Sequence, residues 1–182
     1  MKLEEAARRP LTYPDVGATG ADVVPAGYHR LELTQQIGVG LAAFDRAVDA
    51  LFSWDMHRGV GATVEASAPR ADVGVTMVST LHLGPLRMAA PCRVVWTSHE
   101  DRSAGFAYGT VEGHPVRGEE RFVVTLADER VRLQVRAVSR AGTWYMRLGG
   151  PVPRYFQHVL ARRYATALAR IVASGGARSA ST

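Results

Sequence analysis

The stretch from residue 62 to residue 140 most limits what this chain can become. Within it, runs near 62–68, 73–83, 92–100, 103–111, 119–127 and 130–140 alternate apolar and polar residues. Turn formers separate them: Pro69, Gly84-Pro85, Pro91, Asp101-Arg102, Gly113 to Gly118 and Asp128-Glu129. Alternation with period 2 puts every second side chain on one face of a strand, and short breaks between such runs make an antiparallel meander. A sheet with one apolar face needs a cover. From Val152 to Val172, Tyr155, Phe156, Val159, Leu160, Tyr164, Leu168 and Ile171 recur at helical spacing, with arginines between them. This is a long amphipathic helix, set off by Gly149-Gly150-Pro151, and the only segment long enough to provide the cover. Tyr155, Phe156, Val159, Leu160 and Leu168 are expected to pack on the sheet.

Ahead of the meander, residues 28–37 alternate and place His29, Leu31, Leu33, Gln35 and Ile37 on one strand face. Gly38-Val39-Gly40 breaks that strand. It lacks the third glycine of a nucleotide fingerprint and reads as a turn. Residues 41–54 form a helix, with Leu41, Phe44, Val48, Leu51 and Phe52 on its apolar side. Residues 1–27 are too densely punctuated by glycine and proline for a long element and read as an irregular lead-in. Residues 174–182 are small and polar and read as a flexible tail. The expected organisation is one domain over 28–173. Its fold class is α+β: about seven antiparallel strands, curved round the C-terminal helix, with a cavity between.

Composition narrows the function classes. No apolar run reaches the roughly 18 residues of a membrane span. The charged start, Met1 to Pro10, does not read as a secretory signal, so a cytoplasmic protein is expected. Cys92 is the single cysteine, which excludes an internal disulfide and a multi-cysteine zinc site. The six histidines show no His-x-x-x-His spacing, and no P-loop or full dinucleotide motif is present. No metal and no cofactor are expected. Residues 1–91 carry 8 basic and 10 acidic side chains, and residues 92–182 carry 14 and 7. No nucleic-acid motif accompanies that basic half, which reads as a solvated arginine-rich sheet face. Alternatively, Arg132, Arg136 and Arg140, near Arg93 and Arg121, dock an acidic partner.

Chemistry concentrates between Gly105 and Val124. Two alternating runs flank the turn Gly113-His114-Pro115, and an acidic pair follows, Glu119 and Glu120. Parity puts Glu120 with Phe122, Val124 and Leu126, and Glu119 outward at the surface. A carboxylate on an apolar face is costly unless paired. The polar groups on inward positions are His29, Gln35, Cys92, Tyr108, Thr110 and Glu120, beside Trp96, Phe106 and Phe122, with His114 at the turn mouth. That mixture has the form of a ligand pocket. His114 and Glu120 are the candidate acid–base pair: an imidazole exchanges protons near neutral pH without a large shift, and a buried carboxyl is raised by desolvation or lowered by pairing with His114 or an arginine, either of which supports acid–base work. The structural alternative is a tight turn whose imidazole meets the backbone, with Glu120 paired to an arginine. Arg58 has the geometry for a bidentate bond to a ligand carboxylate or to Glu120. With His57 it also suits a helix C-terminus. His29 reads as a core histidine, His82 as solvent-facing, and Cys92 as a core filler. Trp54, Trp96 and Trp144 line either core or cavity.

Tyr13 to Thr19, Trp54 to Gly59, Pro69, Pro91 to Val95 and Phe106 to Glu120 together resemble a bacterial and plant family, the domain of unknown function numbered nineteen-ninety. The resemblance covers roughly residues 13 to 172. Its most specific part runs from Phe106-Ala-Tyr-Gly-Thr to Gly118-Glu-Glu. It implies a START-like (SRPBCC, helix-grip) fold and draws attention to His57 and Arg58; it carries no activity. The function expected is binding of a hydrophobic or aromatic small molecule between sheet and helix. His57, Arg58, Trp96, Phe106, Tyr108, Phe122 and Phe156 are the expected contacts. The alternatives are a cofactor-independent, polyketide cyclase-like enzyme, dehydratase or isomerase using His114 and Glu120, and a basic interaction module.

Overall fold

The computed structural model describes residues 1–83, 86–142 and 152–179. A short helix, α1 (Leu3–Arg8), opens the chain. Strand β1 (His29–Val39) leads into α2 (Leu41–Phe52) and α3 (Asp55–Gly59). The meander follows as β2 (Thr63–Ala66), β3 (Thr76–Leu83), β4 (Leu86–Glu100), β5 (Ser103–Thr110), β6 (Val116–Ala127) and β7 (Arg130–Ala141). Helix α4 (Val152–Ser179) comes last. The seven strands form one antiparallel sheet in the order β1-β7-β6-β5-β4-β3-β2. Only β1 departs from chain order: it crosses to pair with β7.

One face of the curved sheet makes the core. Phe106 and Tyr108 of β5, Phe122, Val124 and Leu126 of β6, and Val131, Leu133 and Val135 of β7 are buried there at alternate positions. Helix α4 packs against β1, β7, α2 and α3. It buries Ala161, Tyr164, Ala165, Leu168 and Val172, a stripe at helical spacing whose small members let the helix approach closely. Burying Leu168 completely contributes roughly 1.5–3 kcal/mol. Tyr155 does not join the stripe: it is 73% exposed, and the cover begins one residue later with half-buried Phe156. The Asp128-Glu129 turn takes φ of 50° and 58°, the tight connection whose twist suits adjacent antiparallel strands.

The structure corrects several sequence expectations. Strand β4 runs through Pro91 rather than starting after it, with Pro91 opposite Val78 of β3. Its register slips between Val94 and Trp96. That bulge inserts one residue and reverses the parity of everything after it. Trp96 therefore leaves the core face, and its ring lies 4.3 Å under the Arg121 guanidinium on the opposite face. His29, expected in the core, is exposed at the first position of edge strand β1. Helix α4 continues past residue 173 to Ser179. The breaks at Gly84-Pro85 and Gly149-Gly150-Pro151, Trp144, and the last three residues of the expected tail lie outside the described residues.

The lead-in holds the largest correction. It contains α1 and lies across the outer face of the sheet. Arg93 donates to the carbonyls of Ala7 and Arg9, Arg136 to that of Thr19, and Arg30 to those of Ala21 and Asp22. Glu119 takes the centre of this contact. It accepts hydrogen bonds from the Tyr13 hydroxyl at 2.9 Å, Gly17 N–H at 2.8 Å, Thr19 N–H at 3.1 Å, and the Thr19 hydroxyl. Glu119 is consequently 3% exposed and the more buried of the acidic pair, although its side chain does leave the outer face as alternation requires. Gly109 stands opposite Glu119 on β5, and a Cβ there would collide with the Tyr13 ring. The missing side chain is the slot through which Tyr13 reaches the carboxylate.

Candidate functional site

The β5–β6 hairpin builds the site. Its turn closes with His114 N–H donating to the Val111 carbonyl at 3.1 Å. From that turn the register sets Phe106 opposite Phe122 and Tyr108 opposite Glu120. The Tyr108 hydroxyl donates to Glu120 Oε2 at 2.9 Å. Tyr164 of α4 comes down on the same place, its ring 5.4 Å from that of Phe122 and lining the same space as Tyr108 and Glu120.

A cavity of about 110 Å³ opens beside this cluster, between the inner face of the sheet and α4. Met77 and Met88 wall one side, and Phe156 and Leu160 the helix side. Tyr108, Glu120, Tyr164 and Thr110 supply polar groups, and His114 lies at the hairpin end. An engineered apolar cavity of about 150 Å³ holds benzene, so this space suits a group near the size of one aromatic ring.

Burial sets the electrostatics. It raises the Glu120 carboxyl to about 7, with the Tyr108 hydrogen bond pulling weakly the other way. Burial also holds the Tyr108 hydroxyl and the Cys92 thiol in their protonated forms, and the neighbouring Glu120 charge adds to this. Tyr164 is pushed up for the same two reasons. His114 is pushed down to about 4 by burial. Its Nδ1 lies 2.9 Å from the carbonyl oxygen and 3.1 Å from the amide nitrogen of Val116. His114 thus lines the cavity with Glu120, but its Nδ1 is engaged with the backbone, and the partner of Glu120 is Tyr108.

Of the other expected contacts, Tyr108 and Phe156 line the cavity. Phe106, Phe122 and His57 do not: all three are fully buried in an aromatic layer behind Tyr108. His57 sits among Trp54, Phe106, Tyr108, Phe122 and Tyr164, with ring centroids 5.1–6.1 Å away. Neither of its ring nitrogens meets a partner among the described residues. Burial, then the Arg58 charge, lowers it to about 3, so it is a neutral imidazole. Arg58 is outside altogether. It is exposed and bonds Asp55 at the start of α3 at 2.9 Å and the Ser53 carbonyl, just ahead of that helix, at 2.7 Å. Trp96 is on the other face, for the bulge described above.

Sequence reasoning missed Tyr164 as a polar group, and Gln157, which lines the cavity and donates to the Ser139 hydroxyl at 2.9 Å. No local signal marks either one. The Tyr108–Glu120 pairing did carry a signal: residues equidistant from the centre of a hairpin turn face each other. Among the described residues no three His, Cys, Asp or Glu side chains converge as metal ligands, and no helix is long and apolar enough to cross a membrane.

A curved antiparallel sheet, a long C-terminal helix and a cavity between them define a START-like α+β protein. The chain belongs to the family described as Domain of unknown function (DUF1990), which matches residues 12–167. A UPF0548 protein of Deinococcus radiodurans is 34% identical over 160 residues, covering 82% of this chain and 79% of its own. A UPF0548 protein of Dictyostelium discoideum is 29% identical over 146 residues, 68% of this chain and 63% of its own. Among solved structures, a hypothetical protein of Helicobacter pylori superposes with a TM-score of 0.62 at 12% identity, covering 88% of this chain and 95% of that one. A Thalictrum norcoclaurine synthase point mutant in complex with a transition-state analogue superposes with a TM-score of 0.55 at 14% identity, over 84% of this chain and 99% of that one. At such identities the likeness is one of fold.

Proposed function

We propose that residues 28–173 act as one domain that binds a small hydrophobic or aromatic molecule in the cavity between the sheet and α4. The cavity itself supports this reading. Its walls are mostly apolar, and Tyr108, Tyr164 and Glu120 converge on one side of it, the usual construction of a small-molecule site. The proposed contacts are Tyr108, Glu120, Tyr164, His114 and Phe156.

A panel of one-ring aromatic compounds, followed by amide NMR, tests it. Shifts should centre on Tyr108, Glu120 and Tyr164, and Leu160→Trp, which fills the space, should abolish them. Shifts that ignore those residues, or that survive Leu160→Trp, would count against the cavity.

One observation favours a second reading. Glu120, raised to about 7 and bonded to a tyrosine hydroxyl at 2.9 Å, is poised to give or take a proton at neutral pH. A cofactor-independent enzyme would then use Glu120 with Tyr108 as its partner, and His114 as a further polar wall. On a turned-over compound, Glu120→Gln should lower the rate by about 10²–10⁴-fold with affinity largely kept. Loss of affinity with the rate unchanged would return the site to simple binding.

A further inference from the structure

We propose that the cavity, read as the binding site above, selects a small apolar or aromatic molecule carrying a protonated amine, and that the ammonium group pairs with Glu120. Three observations converge on this class.

The first is the acceptor. Glu120 Oε2 is taken by the Tyr108 hydroxyl, but Oε1 accepts no hydrogen bond from any described residue, and Glu120 lines the cavity. A carboxylate oxygen beside a cavity, with no donor of its own, is completed by a ligand that brings donors. An ammonium brings three and the opposite charge.

The second is the missing cation. The chain carries 22 lysines and arginines, yet none of the described ones lines the cavity. Arg93, Arg121 and Arg136 are on the other side of the sheet, holding the lead-in or stacked on Trp96. His114 is kept neutral by burial. An anionic ligand would find no counter-charge among the described residues and would meet Glu120 as a like charge, whereas a cationic one relieves the burial of Glu120.

The third is the wall. The rings of Tyr108, Tyr164 and Phe156 line the same space, and aromatic faces attract a desolvated cation. Met77 and Met88 supply a polarisable surface for the apolar part of the ligand.

A pH signature follows from the groups that face Glu120. Tyr108 of β5, Cys92 of β4 and Tyr164 of α4 stay protonated and neutral at ordinary pH, and His114 is neutral well below pH 6. Between pH 6 and 8, Glu120 is therefore the group among them that changes charge. An ammonium prefers its ionised form, so binding draws a proton off Glu120.

The test uses the full chain and three probes of nearly one shape: benzylamine, benzyl alcohol and benzoate, titrated by calorimetry with amide NMR to locate the site. At pH 8 benzylamine should bind about tenfold or more tighter than benzyl alcohol, the range of a charge-assisted contact, with benzoate weakest. Its affinity should fall about tenfold from pH 8 to pH 6, as the ionised fraction of a carboxyl titrating near 7 falls. Glu120→Gln should erase both the preference for benzylamine and its pH dependence. The wild-type pH series carries the same test without a substitution, should that variant not fold. Benzyl alcohol or benzoate binding at the cavity as tightly as benzylamine would overturn the amine class and leave the cavity reading standing. A preference for benzylamine that survives Glu120→Gln would do the same. If none of the three shifts the cavity residues, both proposals fall together.

Discussion

Glu119 and Glu120 are neighbours on β6, and their carboxylates leave opposite faces of the sheet. Glu119 accepts four hydrogen bonds from Tyr13, Gly17 and Thr19. Glu120 accepts one, from Tyr108, and lines a cavity. The first is saturated by its own chain and fastens the lead-in to the sheet. The second is desolvated without being saturated, which lifts it to about 7. Burial alone therefore does not distinguish a fastening from a site. The more buried carboxylate is the structural one, and the one short of donors is available to a ligand.

The largest effect expected of breaking this contrast comes from Glu119→Ala. It strands the Tyr13 and Thr19 hydroxyls and two backbone N–H groups, and should cost about 3–4 kcal/mol in a urea denaturation curve. The lead-in should also become sensitive to protease. A loss under about 1 kcal/mol would show that the lead-in is held by something else.

Glu120→Gln should act in the opposite direction. The folded carboxyl titrates near 7 against an ordinary value of 4.5, so the folded state holds an extra proton between those pH values. Stability contributed by that proton is present below about pH 4.5, declines as pH rises to about 7, and is absent above. Glutamine has no proton to lose. At pH 8 the variant should be more stable than the wild type by about 1–3 kcal/mol, reduced from the full shift because Glu120 is half-buried. The gain should vanish by pH 4.5. A destabilisation at pH 8 would place Glu120 with Glu119 as a fastening.

Tyr108→Phe should do least to stability, about 1 kcal/mol. It removes the one donor that opposes burial, so the titration of Glu120 should move upward from about 7. A downward movement would mean that another donor has held the carboxylate ionised.

Much of this was legible in the sequence, and the failures have a common cause. Strand parity correctly separated Glu120 from Glu119, because alternation is a local property of the backbone. The Tyr108–Glu120 pair lay within reach of the same reasoning, from the centre of the hairpin turn. Parity failed at Trp96, where the inserted residue of a bulge leaves no compositional mark. It failed differently at Glu119, whose outward direction was right and whose exposure was not. The cover there comes from residues 100 positions or more away, and only the slot at Gly109 hints at it. Tyr164 joined the site through the same kind of long-range packing. Tyr155 misled for a simpler reason: helical periodicity finds a face but not where along the helix the cover begins.

The central claim is that Glu120 is a desolvated, incompletely bonded carboxyl facing a binding cavity. Side-chain ¹³C NMR of Glu120 across pH 4 to 9, with and without benzylamine, tests it most directly. The midpoint should lie near 7 and move down when benzylamine is added. A midpoint near 4.5, unmoved by the amine, would contradict it.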